Sequence, residues 1–325
     1  MGGGRAGAAG REARHDGYGG ALAPKVPPLR YVAAHMYDLH THSRHSDGRW
    51  RPAEVVAGAA RAGLHGVALT DHDTTAGWSE ARATAAAHGI EFIPGVELSA
   101  EERERSVHLL GYWLDPDDAG LVDELARLSG ERLRRAEAML TKLADLGVDI
   151  PLAAVLEIAD GASVARPHLA EALVDAGVVP DARAAFDRYL GDGAAAYEPK
   201  RALAPEGAIA LIREAGGAAV LAHPGVDRGT EGQPVSVDLF ERLVAAGLAG
   251  VEADHPGHDA PTRDRWVARA AAHDLVVTGS SDFHGRYDDE EIGRCATLPS
   301  GVRRLRERVG GRDAAWTGGD VSQSW

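Results

Sequence analysis

DLHTHSRHSDG, residues 38–48, closes a short apolar run that begins at Met36, and it delivers two histidines, His40 and His42, where that run gives out. Residues at i and i+2 of an extended segment point to the same side, so this pair can present two imidazoles together. Six further runs have the length and composition of strands: Gly66 to Thr70, Glu91 to Val96, Val107 to Trp113, Ala218 to Ala222, Gly250 to Ala253 and Leu275 to Gly279. Stretches near 52–63, 75–88, 205–215, 237–246 and 261–273 have helical composition. Strand followed repeatedly by helix predicts an α/β fold with a parallel sheet, open or closed into a barrel.

The placement seen at His40 recurs along the chain. Asp71, His72 and Asp73 follow the second run, and Glu97 follows the third. His223 follows the fifth run, Glu252 and His255 lie at the end of the sixth, and Asp282 and His284 follow the last with the same two-residue spacing. Parallel α/β folds bind ligands beyond the carboxyl ends of their strands, so these residues should converge on one face. Other histidines have plainer explanations. His15 and His35 lie in an N-terminal tail, and His65, His88 and His273 each close an Ala-rich helix, where such a side chain suits the negative helix end.

Imidazole and carboxylate without sulfur suit Mn²⁺, Zn²⁺ or Fe²⁺, with Mn²⁺ the first choice. The candidates outnumber the ligands of one ion, which predicts two or three divalent cations and a bridging carboxylate. Asp38, Asp71 and Asp73 read as supporting or capping groups.

Composition bounds the rest. The 325 residues are 44% apolar and 26% charged, the mix of a folded globular protein. A net charge of −14 argues against sequence-independent gripping of duplex DNA, although cations at a site would still let it hold a small phosphorylated substrate. No run approaches the roughly 20 apolar residues of a membrane span, and the default location is the cytoplasm. The lone cysteine, Cys295, excludes an internal disulfide and reads as a small core residue.

Residues 1–35 read as a disordered tail with Met36 as the natural start, and 311–325 as a second loose tail. Between them, 36–116 and 201–310 form the two parts of the α/β unit. Residues 117–200 form a helical insertion that opens on a long helix from Asp117 to Leu146. Arg127, Arg132, Arg134 and Arg135, interleaved with Glu and Asp, read as a solvated face of that helix.

The motifs DLHTHSRHSDG at 38–48, LTDHDT at 69–74, IPGVELS at 93–99, His108, LAHPG at 221–225 and SDFHG at 281–285 together resemble the PHP (polymerase and histidinol phosphatase) family. The resemblance covers most of residues 36–300. It implies a distorted seven-stranded (β/α) barrel of the TIM-like kind with a trinuclear site. His40, His42, Glu97 and Asp282 would hold one metal; Glu97 would bridge to a second held by His108 and His223; Asp47, His72 and His284 would hold the third. The RPH run at Arg166 to His168, and Lys200, resemble substrate-binding positions of the small single-chain PHP phosphatases acting on nucleotides.

Metal coordination makes a nucleophile of water near neutral pH, so no Ser or Cys nucleophile is required. The leaving alcohol needs a proton, for which His255 is the first candidate and His258 the second. The implied activity is that of a phosphatase of nucleoside 3′,5′-bisphosphates with 5′ to 3′ exonuclease action on short RNA, and so with RNA 5′ ends as further partners. The alternatives are hydrolysis of histidinol phosphate or of a ribose cyclic phosphate and, in a different class, a non-catalytic PHP interaction module. That last reading predicts eroded ligand positions, whereas every one is filled here.

Overall fold

In a computed structural model, the structure describes Met1 and residues 35–103, 105–199, 201–226, 235–286 and 290–309. Most of the N-terminal tail, all of the C-terminal one, and Lys200 lie outside the described residues. Apart from Met1, what is described belongs to one compact unit.

Seven strands form one sheet in sequential order: β1 (Tyr37–Asp38), β2 (Gly66–Leu69), β3 (Glu91–Glu102), β4 (Arg105–Tyr112), β5 (Ala218–Leu221), β6 (Gly250–Asp254) and β7 (Val276–Gly279). A bridge between Thr41 and Phe283, with the His42 amide donating to Phe283 O at 2.8 Å, joins the first strand's extension to the last and nearly closes the barrel. The sequence expectation of a parallel sheet needs correction at β4, which runs antiparallel to both β3 and β5. The reason is local. No helix separates β3 from β4, and strands joined by a tight turn can pair only antiparallel.

Side chains alternate between two sets of contacts. Ala68, Ile93, Leu110, Val220 and Val276 share one cluster with Tyr112, whose hydroxyl crosses to donate to Leu39 O at 2.8 Å. Val67 and Leu69 join a cluster with α1 (Pro52–Arg61) and α2 (Trp78–His88). Leu98, Leu109, Leu221 and Val251 pack with residues of α7 (Pro205–Glu214), α8 (Val237–Ala246) and α9 (Ala260–Ala272). This period-two division is what a sheet lined inside by side chains and covered outside by helices requires. Helix α10 (Pro299–Arg308) packs Val302 and Leu305 against the inner cluster.

Between β4 and α7 run α3 (Ala119–Asp145), α4 (Leu152–Ala159), α5 (Arg166–Asp175), α6 (Ala182–Ala185) and a π-helical turn, Phe186–Leu190. Asp118 caps α3 by accepting the Leu121 amide at 2.9 Å. These helices share their own apolar cluster, including Met139, Leu143, Val155, Leu169, Leu173 and Leu190. No helix among the described residues is long and apolar enough to cross a membrane. Cys295 is half-buried, not a core residue.

Candidate metal centre

The predicted residues His40, His42, Asp47, His72, Glu97, His108, His223, Asp282 and His284 all meet at one end of the barrel. Glu97 sits at the middle, buried, with its two carboxylate oxygens turned to different partners. Oε1 lies 2.7 Å from His108 Nδ1 and 3.1 Å from His223 Nε2. Oε2 lies 3.2 Å from both His40 Nε2 and His42 Nε2, and 3.1 Å from His72 Nδ1. Asp282 Oδ1 is 3.2 Å from the same two nitrogens of His40 and His42. Asp47 Oδ1 is 3.3 Å from His284 Nε2, and its Oδ2 is 3.9 Å from His72 Nε2.

The reversed strand explains how His108 arrives. It lies near the start of β4, paired with Ser99, and because β4 runs backwards its start shares an end with the finishes of β1, β2 and β3. Two of the converging carboxylates and imidazoles sit on strained backbone: Asp282 has φ 52° and His223 φ 26°, in the left-handed region that is costly for a side-chain-bearing residue.

These distances are not those of an ordinary hydrogen-bonded network. His40 Nε2, His42 Nε2 and His72 Nδ1 are buried and lack a hydrogen-bond partner among the described residues, although a carboxylate oxygen stands near each. The atoms are close but are not aimed at one another. Ligands about 2.1 Å from a shared ion lie about 3.0 Å apart in an octahedral arrangement and about 3.4 Å in a tetrahedral one. The observed spacing therefore fits side chains directed at common points, and the donor set fits divalent cations. Among the described residues, three groups bring their ligand atoms within 4.8 Å of one another: His40, His42, Glu97 and Asp282; His72, Glu97 and His108; and His42, Asp47, His72 and His284.

Electrostatics agrees. Burial raises the Glu97 carboxyl, but the imidazoles of His72, His108 and His40 outweigh it and hold it well below the usual carboxylate range. Burial lowers the His42 imidazole, yet Asp282 and Glu97 lift it to about 10. So much buried negative charge demands positive charge beside it.

The supporting groups are well defined. Asp38 accepts the amides of Ser281 at 3.0 Å and Gly293 at 2.8 Å, tying β1 to the Asp282 loop. Asp71 accepts the Ser43 amide and the Ser43 and Ser46 hydroxyls, each at 2.7 Å, which fixes the loop carrying Asp47. Glu252 lies 3.1 Å from His40 Nδ1 and accepts the His223 amide at 2.8 Å. A carboxylate behind a ligating imidazole fixes its tautomer, leaving Nε2 free for the centre.

His255 accepts the Gly257 amide on Nδ1 at 2.9 Å and donates from Nε2 to Asp282 Oδ2 at 3.3 Å. His258 differs. Its Nε2 accepts the Gly225 amide at 3.0 Å and its Nδ1 donates to Ala253 O at 2.9 Å, so both ring nitrogens are engaged with backbone.

A cavity of about 670 Å³ opens beside the cluster, bounded by His72, His108 and Asp47 on the barrel side and by Arg132, Arg135 and Arg166 on the insertion side. Arg166 pairs with Asp192 at 2.7 Å and stands over the Phe186 and Tyr197 rings. His168 is buried at the start of α5, where its Nδ1 accepts the Ala165 amide at 3.1 Å. The reading of the α3 arginines as a solvated face is corrected for two of them. Arg132 and Arg135 line the cavity, and burial, with Arg166 nearby, pushes the Arg135 guanidinium down to about 10. Arg127 and Arg134 are the exposed pair, bonded to Glu124 and Glu131. The missed signal is periodicity: 132, 135 and 139 share the stripe that buries Leu128, Ala136 and Met139.

Comparison with known proteins agrees with this geometry. A PHP domain signature matches residues 38–147. The chain is 36% identical over 269 residues to the 3′,5′-nucleoside bisphosphate phosphatase of Chromobacterium violaceum, covering 81% of this chain and 92% of that one. It is 33% identical over 278 residues to the 5′-3′ exoribonuclease Rnm of Escherichia coli, covering 82% and 91%. A crystal structure of a candidate metal-dependent phosphoesterase from Bifidobacterium adolescentis superposes with a TM-score of 0.79 at 34% identity, over 84% of this chain and 96% of that one. The seven-stranded barrel, its convergent histidines and carboxylates, and these likenesses lead to one conclusion: the chain belongs to the PHP domain family.

Proposed function

We propose that this protein is a cytoplasmic, metal-dependent phosphatase of nucleoside 3′,5′-bisphosphates that also trims short RNA from 5′ ends. The observation that carries the reading is Glu97, a buried carboxylate whose two oxygens face separate sets of imidazoles at the edge of an arginine-walled cavity. The named activities of the relatives support the same reading.

In this reading the donor set takes three divalent cations, with Mn²⁺ the first choice. His40, His42, Glu97 and Asp282 would hold one, Glu97 with His108 and His223 a second, and Asp47, His72 and His284 a third. Such ions supply an activated water and neutralise charge on a phosphate. The chain's own residues do the rest. Arg135 and Arg166 offer guanidinium forks that match a second phosphate of the substrate, with Phe186 and Tyr197 as flat surfaces nearby. Lys200 completes this set in our reading, and His168 holds the turn from which Arg166 projects. His255 holds a proton on Nε2 beside Asp282, the position from which a leaving alcohol can be protonated. With both nitrogens committed, His258 braces the His223 loop instead.

The test is phosphate release with Mn²⁺ from adenosine 3′,5′-bisphosphate, histidinol phosphate, a ribose cyclic phosphate with added phosphatase, and 5′-phosphorylated oligoribonucleotides, with Asp282→Ala as the blank. Dominance of the bisphosphate or the RNA ends supports the reading. Preference for either of the others defeats the substrate assignment, and no release from any substrate favours an interaction module.

A further inference from the structure

We propose that Arg132 of the insertion is a positioning residue for the cation centre, acting through Asp73 on the loop that carries His72. The inference rests on the metal-centre reading above and adds a role that the ligand set does not contain.

Asp73 follows His72 directly and has φ 54°, a conformation that costs a non-glycine residue of order 1 kcal/mol or more unless its surroundings enforce it. Those surroundings are visible. The Asp73 amide donates to Glu97 O at 3.0 Å, and Asp73 Oδ1 accepts the Ser99 amide at 2.7 Å. Asp73 Oδ2 accepts from Arg132 Nε at 2.8 Å and stands 2.5 Å from Nη2, which also donates to Ser99 Oγ at 2.9 Å. The Asp73 side chain is fully buried and that of Arg132 is 10% exposed.

Arg132 stands on α3, far along the chain from β2 and β3, so the insertion reaches over the barrel mouth and clamps two of its strand ends. A buried carboxylate that loses its guanidinium is strongly destabilised, and the readiest relief is movement of its loop toward water. His72 is the neighbouring residue on that loop. Its nitrogens face Glu97 Oε2 and Asp47 Oδ2, so its displacement opens the side of the cluster formed with Asp47 and His284. His40 and Asp282, held by β1 and β7, would stay where they are.

The experiment is Mn²⁺ titration of chelator-stripped full-length protein, with bound metal counted after desalting and melting followed by circular dichroism. Arg132→Met and Asp73→Asn should each bind one ion of the set about 10- to 100-fold more weakly while the others bind as in the parent. Asparagine tolerates positive φ, so Asp73→Asn removes charge without adding backbone strain. Arg132→Lys should recover part of the loss, because an ammonium keeps the charge without the planar fork. Arg127→Met, at an exposed site of the same helix, should change nothing. Parental affinities for every ion in the folded variants would overturn the inference, as would equal weakening of all ions with a collapsed melting transition. A parent protein that takes up no Mn²⁺ would instead overturn the metal-centre reading on which it rests.

Discussion

Glu97 Oε1 lies 2.7 Å from His108 Nδ1, although the two residues stand on strands that run in opposite directions. Pairing of His108 with Ser99 puts the imidazole one step beyond Glu97 on the same face of the ladder, where it meets the carboxylate that also touches His223. The single reversed strand is thus what brings a histidine from a strand's start to the others' finishes.

Glu97→Gln tests the centre directly. The amide has nearly the same shape but presents N–H donors to one of the two imidazole sets. We expect cation binding and turnover to fall by more than about 100-fold, the upper range for loss of a mere supporting group. Metal content by mass spectrometry beside turnover checks it, and a variant that retains its full complement of ions would speak against a bridging role.

Chelation should lower stability. Cations that bind only the folded chain at 100 times their dissociation constant stabilise it by about 2.7 kcal/mol. Stripping with a chelator should therefore lower the melting temperature by several degrees, and added Mn²⁺ should restore it. A melting temperature indifferent to both would count against the site.

His255 and His258 should separate in their effects. His255→Asn removes the Nε2–H donor beside Asp282 and should lower turnover of the folded variant by about 100-fold or more, well beyond the effect of the Gly257 hydrogen bond lost with it. His258→Asn breaks two backbone hydrogen bonds and should cost about 1–3 kcal/mol of stability, with turnover of the folded variant lowered by less than about 10-fold. The reverse pattern would exchange their roles.

Arg166→Ala should discriminate between substrates. A charged hydrogen bond to phosphate contributes about 1.5–3 kcal/mol, so kcat/KM for a nucleoside bisphosphate should fall by roughly 10- to 150-fold, mostly through KM. A monophosphate substrate, which has no second group for the arginine, should lose far less. Equal losses on both would place Arg166 outside the substrate's second phosphate.

Cys295 should resist alkylation. Burial pushes its thiol up to about 12, with Asp254 and Asp38 adding to the effect, which leaves a thiolate fraction on the order of 10⁻⁴ at pH 8. Iodoacetamide should modify the native protein much more slowly than the denatured one. Comparable rates would show that the half-buried thiol is open to reagent.

The sequence by itself determined the barrel's repeating unit and most of the cluster. His40, His42, Glu97, Asp282 and His284 are legible because strand periodicity and a polar residue at each strand's end are local properties, written within a few neighbouring residues. Even the supporting carboxylates Asp38, Asp71 and Asp73 could be assigned from their places beside those ends. Direction and depth are different matters. Only the tertiary structure showed that β3 and β4 extend beyond their apolar runs until two residues separate Glu102 from Arg105, and that short connection fixes β4 antiparallel where its apolar pattern reads the same either way. Helical periodicity sets Arg132 and Arg135 on the stripe of Leu128, Ala136 and Met139, but only the tertiary structure decided that this stripe meets the cavity wall, since that is set by how the insertion docks on the barrel. Charge interleaving on a helix records what surrounds each arginine along the chain, and the barrel that covers this one lies far away in sequence.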